Sequence, residues 1–403
     1  MDQQKSEEIP ATIRDEAAQA PRVDTNNVPS TELFKRLSIL DRLLTPAILI
    51  AMIVGVLIGE YVPNVQEAFD LARFDGVSIP IVIGLIVMNV GRCSQMWPVL
   101  TKVQYETVPQ IFRSSGIWAH IGISMFFNWI VGPLVMVALA WATLPDLPTY
   151  RTGVIMVGMA RCIAMVLIWC QLAKGDGNYC AILVVINSVL QVILYSPYTL
   201  LFVNVVGGRN VAHTHLEYGR VAISVLIYLG IPLVAGIVTR YTIWFLVSKK
   251  FLEERFLPIF GPFALLGLLY TIVVMFAYQG HHIVLNIGHV FRVFVPMILY
   301  FIIMWTSAFG LIYVLGRRTG KSRSYFGYEM AVVQAFTAGS NNFELAIAVA
   351  IANYGVGSDE ALAATIGPLV EVPVLVALTW VALYLERQLS WSHDARDVPS
   401  VDV

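Results

Sequence analysis

From residue 46 onward the chain is a succession of apolar runs separated by short polar connections. Ten runs stand out, at 46–62, 77–96, 117–141, 152–173, 179–204, 221–241, 258–279, 291–315, 328–354 and 360–385. Each is near the roughly 20 residues a helix needs to cross hydrocarbon. They are continuous rather than alternating, which excludes the strands of a membrane β-barrel. The first is short and predicts a span completed by snorkelling ends or local thinning. Residues 1–40 break the pattern: rich in Gln, Ser, Glu, Asn and Pro, they predict a disordered cytosolic tail. They are no signal peptide, because no apolar core follows a basic start. Residues 389–403 predict a second cytosolic tail.

Composition sharpens this. The 403 residues are 57% hydrophobic and only 13% charged, against about 25% charged in soluble domains. Mean hydropathy is +0.71. An ordinary cytosolic enzyme is thereby excluded, and the lipid bilayer is the predicted solvent. The net charge of -1 offers no basic face to phosphates, so no nucleic-acid partner is expected. Four cysteines are too few for a secreted disulfide scaffold. With the N-terminus in the cytosol, fifteen Lys and Arg fall in inner connections and five in outer ones. That bias predicts both termini in the cytosol.

The ten runs divide into five and five. Arg161 in the fourth and Asn341 in the ninth lie 180 residues apart, and Asn187 in the fifth and Glu371 in the tenth lie 184 apart. Polar residues interrupt both the fourth and ninth runs. An odd-numbered unit repeated once enters from the opposite face. The prediction is an all-α polytopic membrane protein of ten transmembrane helices, built as two inverted five-helix repeats over 41–206 and 207–388. Secondary transporters commonly have this architecture.

The informative residues are polar ones inside apolar runs, where a charge costs roughly 2.5–3.5 kcal/mol at the helix centre. They are Arg161, Asn187, Gln191, Ser340, Asn341, Asn342, Glu344 and Glu371, with Arg92 near the end of the second run. Cys162 beside Arg161 reads either as a thiol whose cationic neighbour favours thiolate and soft-metal chemistry or as a small buried hydrophobe. Gly339-Ser-Asn-Asn342 predicts a broken helix with exposed backbone groups, or a span packed through small residues. Glu371 lies between Pro368 and Pro373, which predict a disturbed backbone and freed carbonyls nearby. A carboxyl in low dielectric is a candidate for loading and releasing a proton. A structural ion pair with Arg161 is the other reading, and the two are compatible.

Other signals are weaker. Cys162 and Cys170 are eight apart, and Cys93 and Cys180 fall at membrane ends, without zinc spacing. His281, His282 and His289 predict a solvated outer loop. Gly55-x-x-x-Gly59 is a packing motif, read as intramolecular. No P-loop, Gly-x-Ser-x-Gly or His-Glu-x-x-His is present, so neither ATP hydrolysis nor the usual hydrolases are indicated.

Four segments together resemble the arsenical-resistance family of arsenite efflux permeases, within the bile acid, arsenite and riboflavin transporter superfamily. They are Phe127-Asn-Trp-Ile-Val-Gly-Pro133, Gly158-Met-Ala-Arg-Cys-Ile-Ala-Met-Val-Leu-Ile-Trp169, Gly339-Ser-Asn-Asn-Phe-Glu-Leu345 and Gly367-Pro-Leu-Val-Glu-Val-Pro373. The resemblance covers about 35–390. It implies ten helices in two inverted units, broken and crossing fourth and ninth helices, and alternating access. It implies export of arsenite, with antimonite as a second substrate, in exchange for protons, and no cofactor. The family's membrane cysteine falls on Cys162, and Arg161, Trp169, Asn187, Ser340, Glu344 and Glu371 match as well. The plasma membrane is the expected location, with the vacuolar membrane as alternative; the long N-terminal tail looks more like fungal members.

Arsenite near neutral pH is mainly the neutral trihydroxide, soft at arsenic and able to hydrogen-bond through its hydroxyls. A thiol suits the soft centre, and one thiol avoids the tight grip of three. The expected substrate set is therefore Cys162 at arsenic, with Asn187, Ser340 and Glu371 positioning the hydroxyls. Arg161, Trp169, Asn341, Asn342 and Glu344 line the same site, and Glu371 with Glu344 carries the proton. Three alternatives remain: a sodium-coupled organic anion symporter, a passive channel for small neutral solutes, and a membrane-embedded enzyme that no nucleophile–base pair supports.

Overall fold

The structure, a computed structural model, describes residues 39–62, 73–74, 77–78, 101, 115–163, 165–206, 216–318, 326–355, 357–389 and 391. Leu43–Val403 forms one compact unit. Its described elements are helical apart from one antiparallel pair, β1 (Arg73–Phe74) with β2 (Val77–Ser78). The protein is an all-α membrane protein. Five of its continuous helical stretches, Trp118–Thr143, Gly177–Asn204, Tyr218–Leu246, Ile287–Arg318 and Asp359–Gln388, are long and apolar enough to cross a bilayer.

The first helix, α1, runs Ile39–Tyr61. It begins upstream of the expected run, but that extension holds Asp41 and Arg42, and the apolar part, Pro46–Tyr61, is short for a full span, as the sequence pattern has it. It also takes up the last two residues of the expected tail; residues 1–38 lie outside the described set, as do Arg92, Cys93 and most of the expected second run. The start of that run is corrected. Val77 and Ser78 are paired strand, and Asp75-Gly76 before them is a hairpin signal.

Next come α2 (Ser115–Phe126) and α3 (Gly132–Thr143), continuous through a π-helical turn at Phe127–Val131. The fourth run is α4 (Pro148–Met159) and α5 (Met165–Leu172). Then follow α6 (Gly177–Leu200), α7 (Tyr218–Val225), α8 (Ile231–Leu246), α9 (Leu257–Leu285) and α10 (Ile287–Arg318). The ninth run is α11 (Tyr328–Ala338) and α12 (Phe343–Tyr354), and the tenth is α13 (Asp359–Gln388).

Three π-helical turns share one cause. Phe127–Val131, Leu226–Gly230 and Leu252–Phe256 each end two residues before a proline, at Pro133, Pro232 and Pro258. A helical proline lacks an N–H and its ring crowds the carbonyl four residues back. One wider turn relieves that clash without breaking the helix. At Pro368 and Pro373 α13 runs on without a break, though each proline, having no N–H, still leaves the carbonyl four residues back without its helical donor.

The Gly55/Gly59 motif packs within the chain. A Cβ at Gly55 would lie 2.6 Å from Phe276 Cβ, and one at Gly59 would strike the Ala277 carbonyl; Gly280 meets Gly59 reciprocally. Backbones of α1 and α9 thus approach through small residues, as membrane helices do. The histidines do not form a loop. His281 and His282 lie in α9 and His289 in α10, with only Asn286 between the helices. His281 pairs with Glu60 at 3.1 Å and the His289 ring packs on Tyr150. Arg292 chelates the Asp146 carboxylate, and Lys174 joins Glu386 at 3.1 Å.

Candidate functional site

Both polar-interrupted runs are broken, and the breaks meet. Helix α4 stops at Met159 because Ala160 is extended (φ -86°, ψ 121°); α11 stops at Ala338 and α12 starts after Asn342. Between them Arg161 and Asn341 form an antiparallel bridge, and the Asn342 N–H donates to the Ala160 carbonyl at 3.2 Å.

Each break completes the other's hydrogen bonding. Beyond the Ala160 N–H, which returns to Val157 O at 3.1 Å, the carbonyls at the end of α4 lack helical donors. The Asn341 side-chain amide adds to this end, donating to Val157 O at 2.9 Å and to Ala160 O at 3.0 Å. Asn342 Oδ1 caps α12 by accepting from the Leu345 N–H at 3.1 Å. Gln191 Oε1 on α6 accepts the Arg161 backbone N–H. These amides hold extended backbone inside an apolar protein, where it is tolerated only if its polar groups are met.

The charged groups sit on this framework. Arg161 is fully buried and donates to the Tyr300 hydroxyl at 2.8 Å and to the Gly158 carbonyl. Gly132 makes room for it, since a Cβ there would lie 2.7 Å from Arg161 Nη1. Glu371 is fully buried on α13, and its Oε1 accepts the Asn341 backbone N–H at 3.4 Å. Arg161 and Glu371 form no ion pair, so that reading is set aside: the arginine is met by hydroxyl and carbonyl oxygens, the carboxyl by a peptide N–H. Cys162 is buried in the break with Ser340, Glu371 and Glu344 among its neighbours, and the Ser340 hydroxyl donates to the Phe336 carbonyl at 2.6 Å.

Eight of the nine predicted site residues are buried, and Glu344 is half-buried. Cys162, Arg161, Ser340, Asn341, Asn342 and Glu371 come together at the junction. Asn187 is placed differently: its Oδ1 accepts from Trp129 Nε1 at 3.2 Å. Trp169 lies on α5, its indole N–H without a protein partner. Several further buried polar atoms have no protein partner, among them Arg161 Nε, Asn187 Nδ2, Gln191 Nε2, Asn342 Nδ2 and Glu371 Oε2. An unmet buried polar atom costs about 1–3 kcal/mol.

Tyr300 is not among the candidates the sequence offers, and Trp129 and Gly132 enter there only within the Phe127–Pro133 segment, with no role assigned. Tyr300 carries no signal inside an apolar run. Gly132 and Trp129 had one: the Gly-Pro pair at 132–133 marks an irregular turn.

Buried broken helices joined through polar side chains, within an apolar bundle, are an arrangement that membrane transporters use. The comparisons agree. The model of the sodium bile acid symporter family matches residues 82–286. The arsenical-resistance protein Acr3 of Corynebacterium glutamicum is 39% identical over 91% of this chain and 94% of its own length. An uncharacterized transporter of Synechocystis is 31% identical over 85% of this chain and 88% of its own. The Acr3 arsenical-resistance protein of Alkaliphilus metalliredigens is 27% identical, over 85% and 92%. The chain belongs to the sodium bile acid symporter family and, within it, to the arsenical-resistance permeases.

Proposed function

We propose that this protein exports arsenite, and antimonite as a second substrate, from the cytosol in exchange for protons. The observation that carries the proposal is the Cys162 thiol beside Ser340 at the junction of two broken helices, in a chain 39% identical to an arsenical-resistance protein. The thiol faces arsenic, while Ser340, Asn187 and Glu371 take the hydroxyls; Asn341 and Asn342 hold the backbone that presents them. Arg161, fixed by Tyr300, sets a positive field at the junction without neutralising Glu371. Trp169 and Glu344 line the site.

Glu371 is the proton carrier, with Glu344 its partner. Protonation from the acidic side removes the carboxylate acceptor and releases substrate, and deprotonation inside restores it. A neutral solute moved without such coupling would only equilibrate. The paired breaks support two inverted five-helix repeats, 41–206 and 207–388, that move against each other to alternate access. Both termini lie in the cytosol, and the plasma membrane is the site of action.

The family's description favours one second reading, coupling to sodium. Arsenite uptake into inside-out membrane vesicles separates the two. Uptake driven by an acidic lumen and indifferent to sodium supports proton exchange. Uptake that follows a sodium gradient replaces it, and no arsenite movement under either gradient refutes the substrate.

A further inference from the structure

Helix α6 changes character halfway along. At 180–184 its buried positions are Cys180, Ala181 and three aliphatic residues. From there to Thr199 every buried position is polar: Asn187, Ser188, Gln191, Tyr195, Ser196 and Thr199. None of these is more than 2% exposed. Asn187, Gln191, Tyr195 and Thr199 follow at intervals of four, a row on one side of the helix. The row is about 18 Å long at 1.5 Å per residue. Gln191 ties it to the break, where its Oε1 accepts the Arg161 N–H. Thr199 ends it, five residues before Asn204, which is half-buried at the close of the stretch Gly177–Asn204.

Packing does not account for these side chains. Other buried hydroxyls fold back on the carbonyl four residues before them: Ser188 on Val184, Thr337 on Val333, Thr365 on Ala361 and Thr379 on Leu375. Ser196 Oγ and Thr199 Oγ1 have no protein partner, nor have Asn187 Nδ2 and Gln191 Nε2. Tyr195 donates to the Met156 carbonyl of α4 at 3.2 Å, which holds the row against that helix. Aliphatic residues would fill the same volume without stranding polar atoms in an apolar medium.

We propose that the C-terminal half of α6, from Gln191 through Tyr195 and Ser196 to Thr199, is one wall of a hydrated path between the break and the end of the helix, fitted to small neutral hydroxylated solutes. Polar side chains that face the interior of a membrane bundle mark such paths. The solute class rests on the transport reading; the path does not. Hydroxyls and amides exchange hydrogen bonds with water and with an As–OH group alike. The row carries no charge and no thiol to hold the solute back. With both termini in the cytosol this end of α6 is the outer one, so the path is the solute's way out.

Cysteine substitution tests this on the full-length protein, in membranes opened so that reagent reaches both faces. Ser196→Cys and Thr199→Cys are nearly isosteric. Val184→Cys, on the buried apolar half, and Ile193→Cys, at a 60% exposed position on the opposite side of α6, are the references. Each variant is treated with methanethiosulfonate ethyltrimethylammonium, and modification is read at the introduced residue by mass spectrometry. The expected rates at 196 and 199 are on the order of tenfold above both references, because the reagent attacks thiolate, which forms where water reaches. Rates at 196 and 199 no higher than at the references overturn the path. Modified Thr199→Cys should also lose arsenite flux relative to wild type given the same treatment; undiminished flux through fully modified protein overturns the path too. Fast modification at both positions in a protein that moves no arsenite refutes the transport reading and leaves the path standing.

Discussion

Asn341 closes the helix that ends before Ala160: its side-chain amide donates to the Ala160 carbonyl at 3.0 Å, and the next residue's N–H reaches the same oxygen. One break therefore serves as the C-terminal cap of the other. Replacing Asn341 with Ala removes both side-chain bonds and strips Val157 O of this donor. The expected loss is about 1–3 kcal/mol, read as a lower melting temperature in detergent. Asn341→Asp should be worse, since it sets an anion against carbonyl oxygens. A melting curve unchanged in Asn341→Ala would remove the cap from the account.

Tyr300 is placed as the support of Arg161. Tyr300→Phe takes away the hydroxyl that accepts from Nη1 and leaves a buried guanidinium short of a partner. Hydrogen bonds to charged groups contribute about 1.5–3 kcal/mol. Transport should fall with it, and Arg161→Lys should not substitute, because an ammonium cannot reach the same oxygens with a planar fork. Full transport by Arg161→Lys would show that only the charge matters.

Gly367 is required by its neighbour. A Cβ there would overlap the Phe343 ring, which sits buried at the start of α12. Gly367→Ala should destabilise by about 1–3 kcal/mol through overpacking. Adding Phe343→Leu should recover part of that loss, since contacting residues couple. A double variant no more stable than the sum of the singles would place the strain elsewhere.

Asp146 lies outside the spanning helices and is held down to about 2, first by the hydrogen bonds from Arg292. A depressed carboxyl contributes stability above its unfolded value of 3.8 and loses it as pH falls toward about 2. Asp146→Asn should therefore melt slightly below wild type at neutral pH, the pair being exposed and weak. The gap should close on acidification through that window. A gap that widens at low pH has the wrong sign for this pair.

Much of this was legible in the sequence because a bilayer penalises polar residues heavily. The breaks at Arg161 and Asn341 announced themselves as polar strings inside apolar runs, and both are there. What the strings could not say is who meets whom. Arg161 and Glu371 look like partners by charge, yet Arg161 bonds a tyrosine hydroxyl and a carbonyl and Glu371 a peptide N–H, and none of these carries a charge to read. Asn187 bonds Trp129 across 58 residues, a pairing set by helix packing alone. The prolines show the same limit. Pro133, Pro232 and Pro258 widen a turn while Pro368 and Pro373 leave α13 straight on, so the residue type marks a stress and the surroundings choose the response. The histidine pair at 281–282 reads as polar loop, but the helices run on through it with Glu60 as the His281 partner.

The central claim is that Glu371 couples arsenite movement to protons. Its direct test is arsenite flux in proteoliposomes under an imposed pH gradient, comparing wild type, Glu371→Gln and Cys162→Ala. Wild type should concentrate arsenite against its gradient. Glu371→Gln should keep its fold but lose uphill transport, and Cys162→Ala should lose flux with folding intact. Uphill transport that survives in Glu371→Gln, or wild-type flux that ignores the pH gradient and follows arsenite alone, would contradict the account.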